Sequence, residues 1–325
     1  MREALFVKQN SGKWKKYESL QSNDPDELAQ FFIDITDDLA YSKTFYPQSK
    51  TTAYLNGLAS KFHQTIYRNK KEKSKRFVLF WTIELPLLFK KYEKQLLYSF
   101  AFFMIFSLMG VLSAKIDDTF LRLILGDHYV NMTNENIAKG DPFGVYKQQG
   151  EFSMFYQIAK NNLTVAFYTF VSGIFFSVGT VINLLKNGVM LGSFEYYFFS
   201  KGLGWQSILV IWIHGTLEIS AIIIAGGAGL ILGNSLLFPK TYKRMVSFKN
   251  GAKDGLKISI GITPIIVIAA FLEGFVTRHT EMPVWLSIFI LSSSFTFIIW
   301  YVIFYPNKLY KAQLKSSENK HGREF

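Results

Sequence analysis

Four ionisable side chains of this chain lie in apolar stretches, where a charge is costly. His214 and Glu218 are four residues apart in the segment His-Gly-Thr-Leu-Glu. In a helix this spacing places them on one face, about 6 Å apart. Glu273 lies in a second apolar stretch and Glu195 in a short aromatic-rich one. A charge at the centre of a bilayer costs at least ~2.5–3.5 kcal/mol, so such residues indicate either a function or tight pairing.

Two interpretations of these residues stay open. In the first, they form a buried polar cluster that acts as a proton relay, an ion or metal site, or a substrate contact. In the second, a neutral glutamate accepts and donates hydrogen bonds as a pin between helices. We predict that His214, Glu218 and Glu273 lie in one cluster near the membrane midplane, and we group Glu195 with them.

The sequence offers little support for catalytic chemistry. The chain has no cysteine, which excludes thiolate nucleophiles and cysteine-ligated metals. The His-x-x-x-Glu pattern lacks the second histidine of the zinc protease motif, and no phosphate-binding loop is present. We therefore predict a non-enzymatic protein with no catalytic residue, no cofactor and no assigned metal.

The composition identifies the elements that must hold these side chains. Of the 325 residues, 49% are apolar and only 18% are charged, against roughly a quarter in soluble domains. Five long stretches are each able to cross a hydrocarbon core ~30 Å thick. This pattern predicts an all-α, polytopic transmembrane bundle, and it excludes an ordinary soluble enzyme, a disordered chain and a coiled coil. The stretches cover residues 95–114, 163–185, 203–238, 258–277 and 284–305.

The rest of the chain predicts further regions around this bundle. Asp24 and Pro25 begin a helix, Pro47 interrupts the chain, and residues 53–66 form the next helix of a small domain. A short apolar run interrupted by a glutamate and a proline then leads into the membrane as an interfacial helix. The predicted regions are a cytosolic helical N-terminal domain, the interfacial lead-in, the transmembrane bundle and a basic cytosolic tail, over residues 1–76, 77–94, 95–305 and 306–325.

Lysine and arginine residues orient the bundle, because cytoplasmic segments carry an excess of them. Residues 68–76, 240–257 and 308–323 are basic, whereas the loop at 115–160 is nearly neutral and is assigned to the outside. Parity then requires the short apolar segment 188–203 to cross as well. We predict about six crossings, one of them short or broken, with both termini in the cytoplasm. The net charge of +12 is explained by this arrangement, so nucleic acid is not a predicted partner.

Small residues predict close contacts between helices. Gly188-x-x-x-Gly192 and Gly229-x-x-x-Gly233 form small-residue faces that serve either packing within the chain or a dimer. We predict a homodimer on this basis. The glycines expected to allow close approach are Gly188, Gly192, Gly215, Gly226, Gly227, Gly229, Gly233 and Gly274.

Several motifs together resemble those of a known family. They are Glu84-Leu85-Pro86, Asn161-Asn162, Asn187 to Gly192, His214 to Glu218, Ala225 to Gly229, Arg244, and Ala270 to Phe275. Over roughly residues 80–305 the chain resembles the stage II sporulation protein M family of prokaryotic integral membrane proteins. The resemblance implies an all-α polytopic bundle in the plasma membrane, and a catalytic activity is not part of what it implies. Founding members anchor cell-wall hydrolases during engulfment, which implies envelope or cell-wall-remodelling proteins as partners.

Two functions follow from these observations. The first is a non-enzymatic scaffold or anchor for partner proteins at the cell envelope, embedded in the lipid bilayer. The alternative is a small-solute or ion transporter, or a channel, that uses the buried His/Glu cluster. A water-accessible cavity at the cluster favours transport, whereas a dry and fully hydrogen-bonded cluster favours a structural pin.

Overall fold

A computed structural model describes most of the chain, namely residues 2–19, 25–67, 75–147, 150–278 and 282–321. These residues form helices joined by short turns, and no strand occurs among them. The predicted all-α class is therefore confirmed. The chain divides into two compact units, Met1–Arg76 and Phe77–Phe325, each with its own core.

The first unit contains three helices, α1 (Glu3–Ser19), α2 (Pro25–Phe45) and α3 (Lys50–Tyr67). The chain turns at Pro47, as its sequence predicts, between α2 and α3. Trp14 is 3% exposed, and its indole donates a 2.7 Å hydrogen bond to Asp38. The sequence did not predict α1, because Phe6 and Trp14 are its only buried residues and form no helical pattern by themselves.

The boundary between the two units falls within α4 (Lys75–Leu79), and the second unit continues with a π-helical segment (Phe80–Glu84) and α5 (Leu85–Lys91). The predicted interfacial lead-in at 77–94 contains α5, which packs into the bundle. Leu85 and Phe89 are 0% and 1% exposed and belong to the main core of the bundle. The Trp81 indole also donates a 3.2 Å hydrogen bond to the Gly261 carbonyl. The lead-in is therefore part of the bundle, because later helices cover the apolar face of α5.

Further helices of different lengths make up most of the remainder of this unit. π-Helical segments at Leu272–Thr277 and Trp300–Phe304 continue the helices before them. The helices are α6 (Glu93–Ile116), α7 (Asp118–Leu125), α8 (Asp127–Ala138), α9 (Glu151–Val171), α10 (Val178–Ser200), α11 (Gly204–Leu237), α12 (Arg244–Gly261), α13 (Thr263–Phe271), α14 (Val284–Ile299) and α15 (Tyr305–His321).

Four helical stretches of the described chain are long and apolar enough to cross a membrane: Glu93–Ile116, Gly204–Leu237, Arg244–Thr277 and Val284–Lys315. Each contains most or all of one predicted span. The third stretch extends into the predicted basic loop at 240–257, since α12 begins at Arg244. Asp254, an acid within this basic segment, accepts hydrogen bonds of 2.7 Å from both Lys91 and Tyr92. These bonds tie α12 to the end of α5.

The prediction of one helix over residues 163–185 is wrong. A turn at 172–177 separates α9 from α10. Phe176 and Ser177 have φ angles of 52° and 68°, a left-handed conformation that side chains disfavour. Gly173 lies directly against the backbone of α11. The apolar turn resembles a membrane span in hydropathy, and only the packed structure reveals that the chain reverses there.

The turn between α9 and α10 also changes the predictions for two neighbouring segments of the chain. The segment 188–203, predicted to cross as a separate short helix, is mostly the second half of α10. The predicted outer loop at 115–160 is largely helical, because it contains α7, α8 and the first part of α9. α10 has 23 residues, and at 1.5 Å per residue it reaches roughly 34 Å.

Candidate functional site

A His/Glu cluster lies between α9, α11 and the π-helical segment after α13. His214 and Glu218 share one face of α11, as their spacing predicts, and His214 is 3% exposed. Glu273 approaches them from the π-helical segment. One ligand-type atom from each of the three side chains lies within 4.8 Å of the other two. The predicted proximity of these three residues is thus present in the structure.

The π-helical segment, Leu272–Thr277, positions both sides of the histidine. His214 Nε2 lies 3.8 Å from Glu273 Oε2, and His214 Nδ1 lies 2.9 Å from the Thr277 hydroxyl. Thr277 Oγ1 donates its own proton to the Leu272 carbonyl at 3.2 Å. With that proton on the Leu272 carbonyl, Oγ1 accepts from Nδ1–H in one of the two ring tautomers, and in that tautomer Nε2 is an acceptor. π-Helical turns of this kind occur frequently at functional sites.

α9 contributes a neutral donor to the cluster. Asn162 Nδ2 donates a short hydrogen bond to Glu218 Oε1. Its neighbour Asn161 is exposed, and its side-chain amide donates a 3.4 Å hydrogen bond to Asn162 Oδ1. α9 comes this close to the π-helical segment because Gly274 has no side chain, and a Cβ there would lie 3.0 Å from Phe155 Cβ.

Hydrogen-bond acceptors converge at the centre of the cluster. The ionised carboxylates of Glu218 and Glu273 only accept, and His214 Nε2 accepts when the ring proton is on Nδ1. Two ionised carboxylates at this separation in an apolar core repel each other strongly. The arrangement therefore requires a proton or a cation shared among the three side chains.

The prediction that Glu195 belongs with this cluster is not supported by its position. Its carboxylate accepts a 2.8 Å hydrogen bond from the Trp212 indole, which pairs α10 with α11. It is not among the three side chains whose ligand atoms converge. Trp212 lies two residues from His214, so the two side chains point in different directions around α11 and lead to different partners.

Seven of the eight glycines lie where another helix or side chain approaches closely. A Cβ on Gly192 would lie 2.8 Å from the carbonyl carbon of Ser107, and one on Gly188 would lie 2.9 Å from Phe106 Cβ. Gly215 departs from our prediction, because a Cβ there would meet nothing within 4 Å. The seven are Gly188, Gly192, Gly226, Gly227, Gly229, Gly233 and Gly274.

Asn187 and Arg244 are two other residues of the family-like motifs. Asn187 Nδ2 donates a 2.8 Å hydrogen bond to the Asn183 carbonyl within α10. Arg244 is exposed at the start of α12.

Sequence reasoning missed Thr277, whose hydroxyl orients His214. The four-residue spacing of Glu273 and Thr277 was the available signal, but a lone threonine in an apolar stretch most often bonds its own helix.

Comparisons with known proteins agree with the division of the chain. Residues 99–278, which include the whole cluster, match the family model for Stage II sporulation protein M. Residues 4–68 match a domain of unknown function (DUF8413). The uncharacterized protein MJ0793 of Methanocaldococcus jannaschii is 34% identical over 128 residues, which cover 38% of this chain and 70% of that protein. No solved structure matches the chain.

The family match and the helices lead to one conclusion about the second unit. The match covers more than half of the residues and contains the motifs at Asn162, His214 to Glu218, and Glu273. Four helical stretches in the described chain have the length and apolar character to cross a bilayer. The chain is therefore a membrane protein that belongs to the stage II sporulation protein M family.

Proposed function

We propose that this protein moves a small cation, either a proton or a metal ion, across the plasma membrane. His214, Glu218 and Glu273 form the binding site in this proposal. The observation that carries it is the convergence of two carboxylates and an imidazole within 4.8 Å inside an apolar bundle. Ionisable groups are costly in such a place and mark ion pathways in other membrane proteins, whereas a scaffold gains nothing from them.

A cavity beside the cluster supports access from one side. It has a volume of about 320 Å³ and is lined by Asp141, Gln206 and Thr277, among other residues. Thr277 is the residue whose hydroxyl contacts His214. Beyond Glu218, the glycines of α11 pack closely against neighbouring helices. A cavity next to one side of the site, with close helix packing beyond the site, fits alternating access.

We further propose six crossings with both termini in the cytoplasm. The crossing elements are α6, α9, α10, α11, the stretch from α12 to the following π-helical segment, and α14. The turn between α9 and α10 lets each of these two helices cross once, which meets the parity that the basic segments demand. In this topology the cavity opens toward the outside, because α11 enters from there.

Cysteine labelling tests this topology without interference, because the chain has no cysteine of its own. Lys139 and Lys249 are both exposed. In intact cells, a membrane-impermeant maleimide should label Lys139→Cys, and it should label Lys249→Cys only after the membrane is permeabilised. Labelling of both positions from the same side would contradict the proposed arrangement.

Flux measurements on proteoliposomes test the transport proposal. Vesicles with an internal pH-sensitive dye report proton movement, and matched vesicles with a divalent-metal dye report Mn²⁺ or Zn²⁺ movement. We expect the unaltered protein to give flux in at least one of these assays and Glu218→Gln to reduce it at least tenfold, because one of the converging charges is gone. Glu195→Gln is the matched control and should keep its flux, since an amide oxygen still accepts from Trp212. Wild-type flux no greater than that of protein-free vesicles would end the proposal.

An anchor or scaffold at the cell envelope is the second candidate function. It is favoured by the separate three-helix unit, Met1–Arg76, which matches a domain of its own. A photo-reactive residue at the exposed position Lys15 in the full-length protein should then give a discrete adduct with another protein in cells. The same adduct should persist in Glu218→Gln, since that change leaves the first unit untouched. The absence of any adduct would argue against this candidate.

The predicted homodimer stays a prediction, and its original motivation has weakened. Gly188 and Gly192 contact α6, and Gly229 and Gly233 contact α9, α10 and the turn between them. These small-residue faces are thus occupied within the chain. A homodimer would have to use another surface, and an adduct of Lys15 at twice the mass of the chain would support it.

A further inference from the structure

We propose that the His/Glu cluster is a binding site for a divalent transition-metal ion of the Mn²⁺, Fe²⁺ or Zn²⁺ type. The inference deepens the proposed function, on which it rests, by naming the class of cation. It also departs from our sequence-based expectation that no metal site exists. Three observations carry it: the donor set, the orientation of the histidine and the spacing of the ligand atoms.

The donor set contains one imidazole and two carboxylates. Carboxylates alone suit Mg²⁺ and Ca²⁺, which prefer oxygen ligands. An imidazole nitrogen shifts the preference toward Zn²⁺, Fe²⁺ and Mn²⁺. The Asn162 amide, which now donates to Glu218, presents its oxygen instead when the amide turns over. His214, Glu218, Glu273 and Asn162 then form a mixed nitrogen and oxygen site.

The orientation of His214 is the second observation. In metal sites the histidine usually donates its other ring N–H to an oxygen, which holds the ring and fixes the tautomer. Here His214 Nδ1 lies 2.9 Å from Thr277 Oγ1, whose proton goes to the Leu272 carbonyl. Nε2 is thereby directed toward the Glu273 carboxylate, 3.8 Å away. A divalent cation between Nε2 and this carboxylate would be bound by both.

The spacing of the ligand atoms is the third observation. A divalent ion contacts all its ligands at roughly 2.0–2.2 Å, so its ligand atoms lie at most about 4.0–4.4 Å apart. The three atoms here lie within 4.8 Å of one another, so an inward movement of less than about 1 Å in the side chains would complete the site.

Metal titration of the purified full-length protein tests the inference. The protein is prepared without a histidine tag, treated with a chelator and placed in lipid nanodiscs. We expect calorimetry to give one saturable Mn²⁺ or Zn²⁺ per chain, not displaced by a large excess of Mg²⁺. Pulsed electron paramagnetic resonance of bound Mn²⁺ should show coupling to an imidazole nitrogen. Glu218→Gln and Glu273→Gln should each weaken binding by at least a hundredfold, and Glu195→Gln should not change it.

Thr277 provides a positioning test that a merely structural role would not satisfy. Thr277→Val should weaken Mn²⁺ binding by about 10–100-fold, with the imidazole coupling retained, because the ring loses its orienting oxygen. Thr277→Ser, which keeps the hydroxyl, should restore the affinity. Size-exclusion profiles and circular dichroism check that each variant remains folded.

The possible results separate this inference from the proposed function. Mn²⁺ or Zn²⁺ binding that depends on the two glutamates, without flux in vesicles, would support the metal site and overturn transport. Proton flux without such binding would support transport and overturn the metal site. Binding that is unaffected by both glutamine variants would also overturn the metal site, since the ions would then be held elsewhere.

Discussion

Glu218→Gln should make the metal-free protein more stable while it removes the affinity for metal. The glutamine oxygen can accept from Asn162, as Glu218 Oε1 does, and its amide can donate to the Glu273 carboxylate. The variant thus always has a donor between residues 218 and 273. In the wild type such a donor is present only when one of the two glutamates is protonated. Satisfying one buried acceptor in this way contributes about 1–3 kcal/mol, which raises the melting temperature on the order of 5 °C.

The size of this difference in stability should depend on pH, and its sign should depend on metal. As the pH rises, loss of the shared proton leaves two negative carboxylates together in the wild type, so the advantage of the variant should widen. Saturating Mn²⁺ should reverse the order, because a ligand at a hundred times its Kd stabilises the wild type by about 2.7 kcal/mol and leaves the variant unchanged. Melting curves in nanodiscs, with chelator and with Mn²⁺ at several pH values, measure all three effects.

The same curves distinguish a binding site from a structural pin. A pin predicts no response of the wild type to Mn²⁺ and equal or lower stability for Glu218→Gln. Glu195→Gln serves as the control, since its partner Trp212 only donates. A melting temperature of metal-free Glu218→Gln that falls several degrees below the wild type would contradict the interpretation of Glu218 as one of two opposed acceptors.

Gly192→Ala and Gly215→Ala should have opposite effects on stability. Both glycines lie within helices, so the chemical change is the same. A Cβ on Gly192 would lie 2.8 Å from the carbonyl carbon of Ser107 and 2.9 Å from the amide nitrogen of Val111. Backbone atoms of a neighbouring helix cannot turn aside, so α6 and α10 must separate. Overpacking of this kind costs about 1–3 kcal/mol or more, and Gly192→Val should prevent folding.

Gly215 offers the matched control for this loss. A Cβ there meets nothing within 4 Å, and alanine is favoured over glycine inside a helix by about 0.5–1 kcal/mol. Gly215→Ala should therefore keep or slightly raise the melting temperature, while Gly192→Ala lowers it by roughly 5–10 °C. Fluorescence-detected size exclusion after heating measures the folded fraction of each. Equal losses for the two variants would show that the packing of α6 against α10 does not limit stability.

Hydropathy determined the long apolar helices because it is a property of consecutive residues. The predicted stretches at 95–114 and 203–238 appear as Glu93–Ile116 and Gly204–Leu237. The shared face of His214 and Glu218 was determined in the same way, since helix geometry fixes the direction of residues four apart. The composition likewise indicated the all-α class, because so many apolar residues in long runs have few other solutions.

The tertiary structure alone decided which side chains meet and where the chain reverses. Asn162 joins the cluster and Glu195 leaves it, because partners on other helices are set by packing and not by spacing along one helix. The turn at 172–177 interrupts an apolar run. It was not predicted, because hydropathy carries no information about a left-handed φ. Gly192 is in close contact and Gly215 is not, although both were predicted to allow close approach. Contacts between distant segments depend on how the helices pack in space, and hydropathy along the chain carries no information about that.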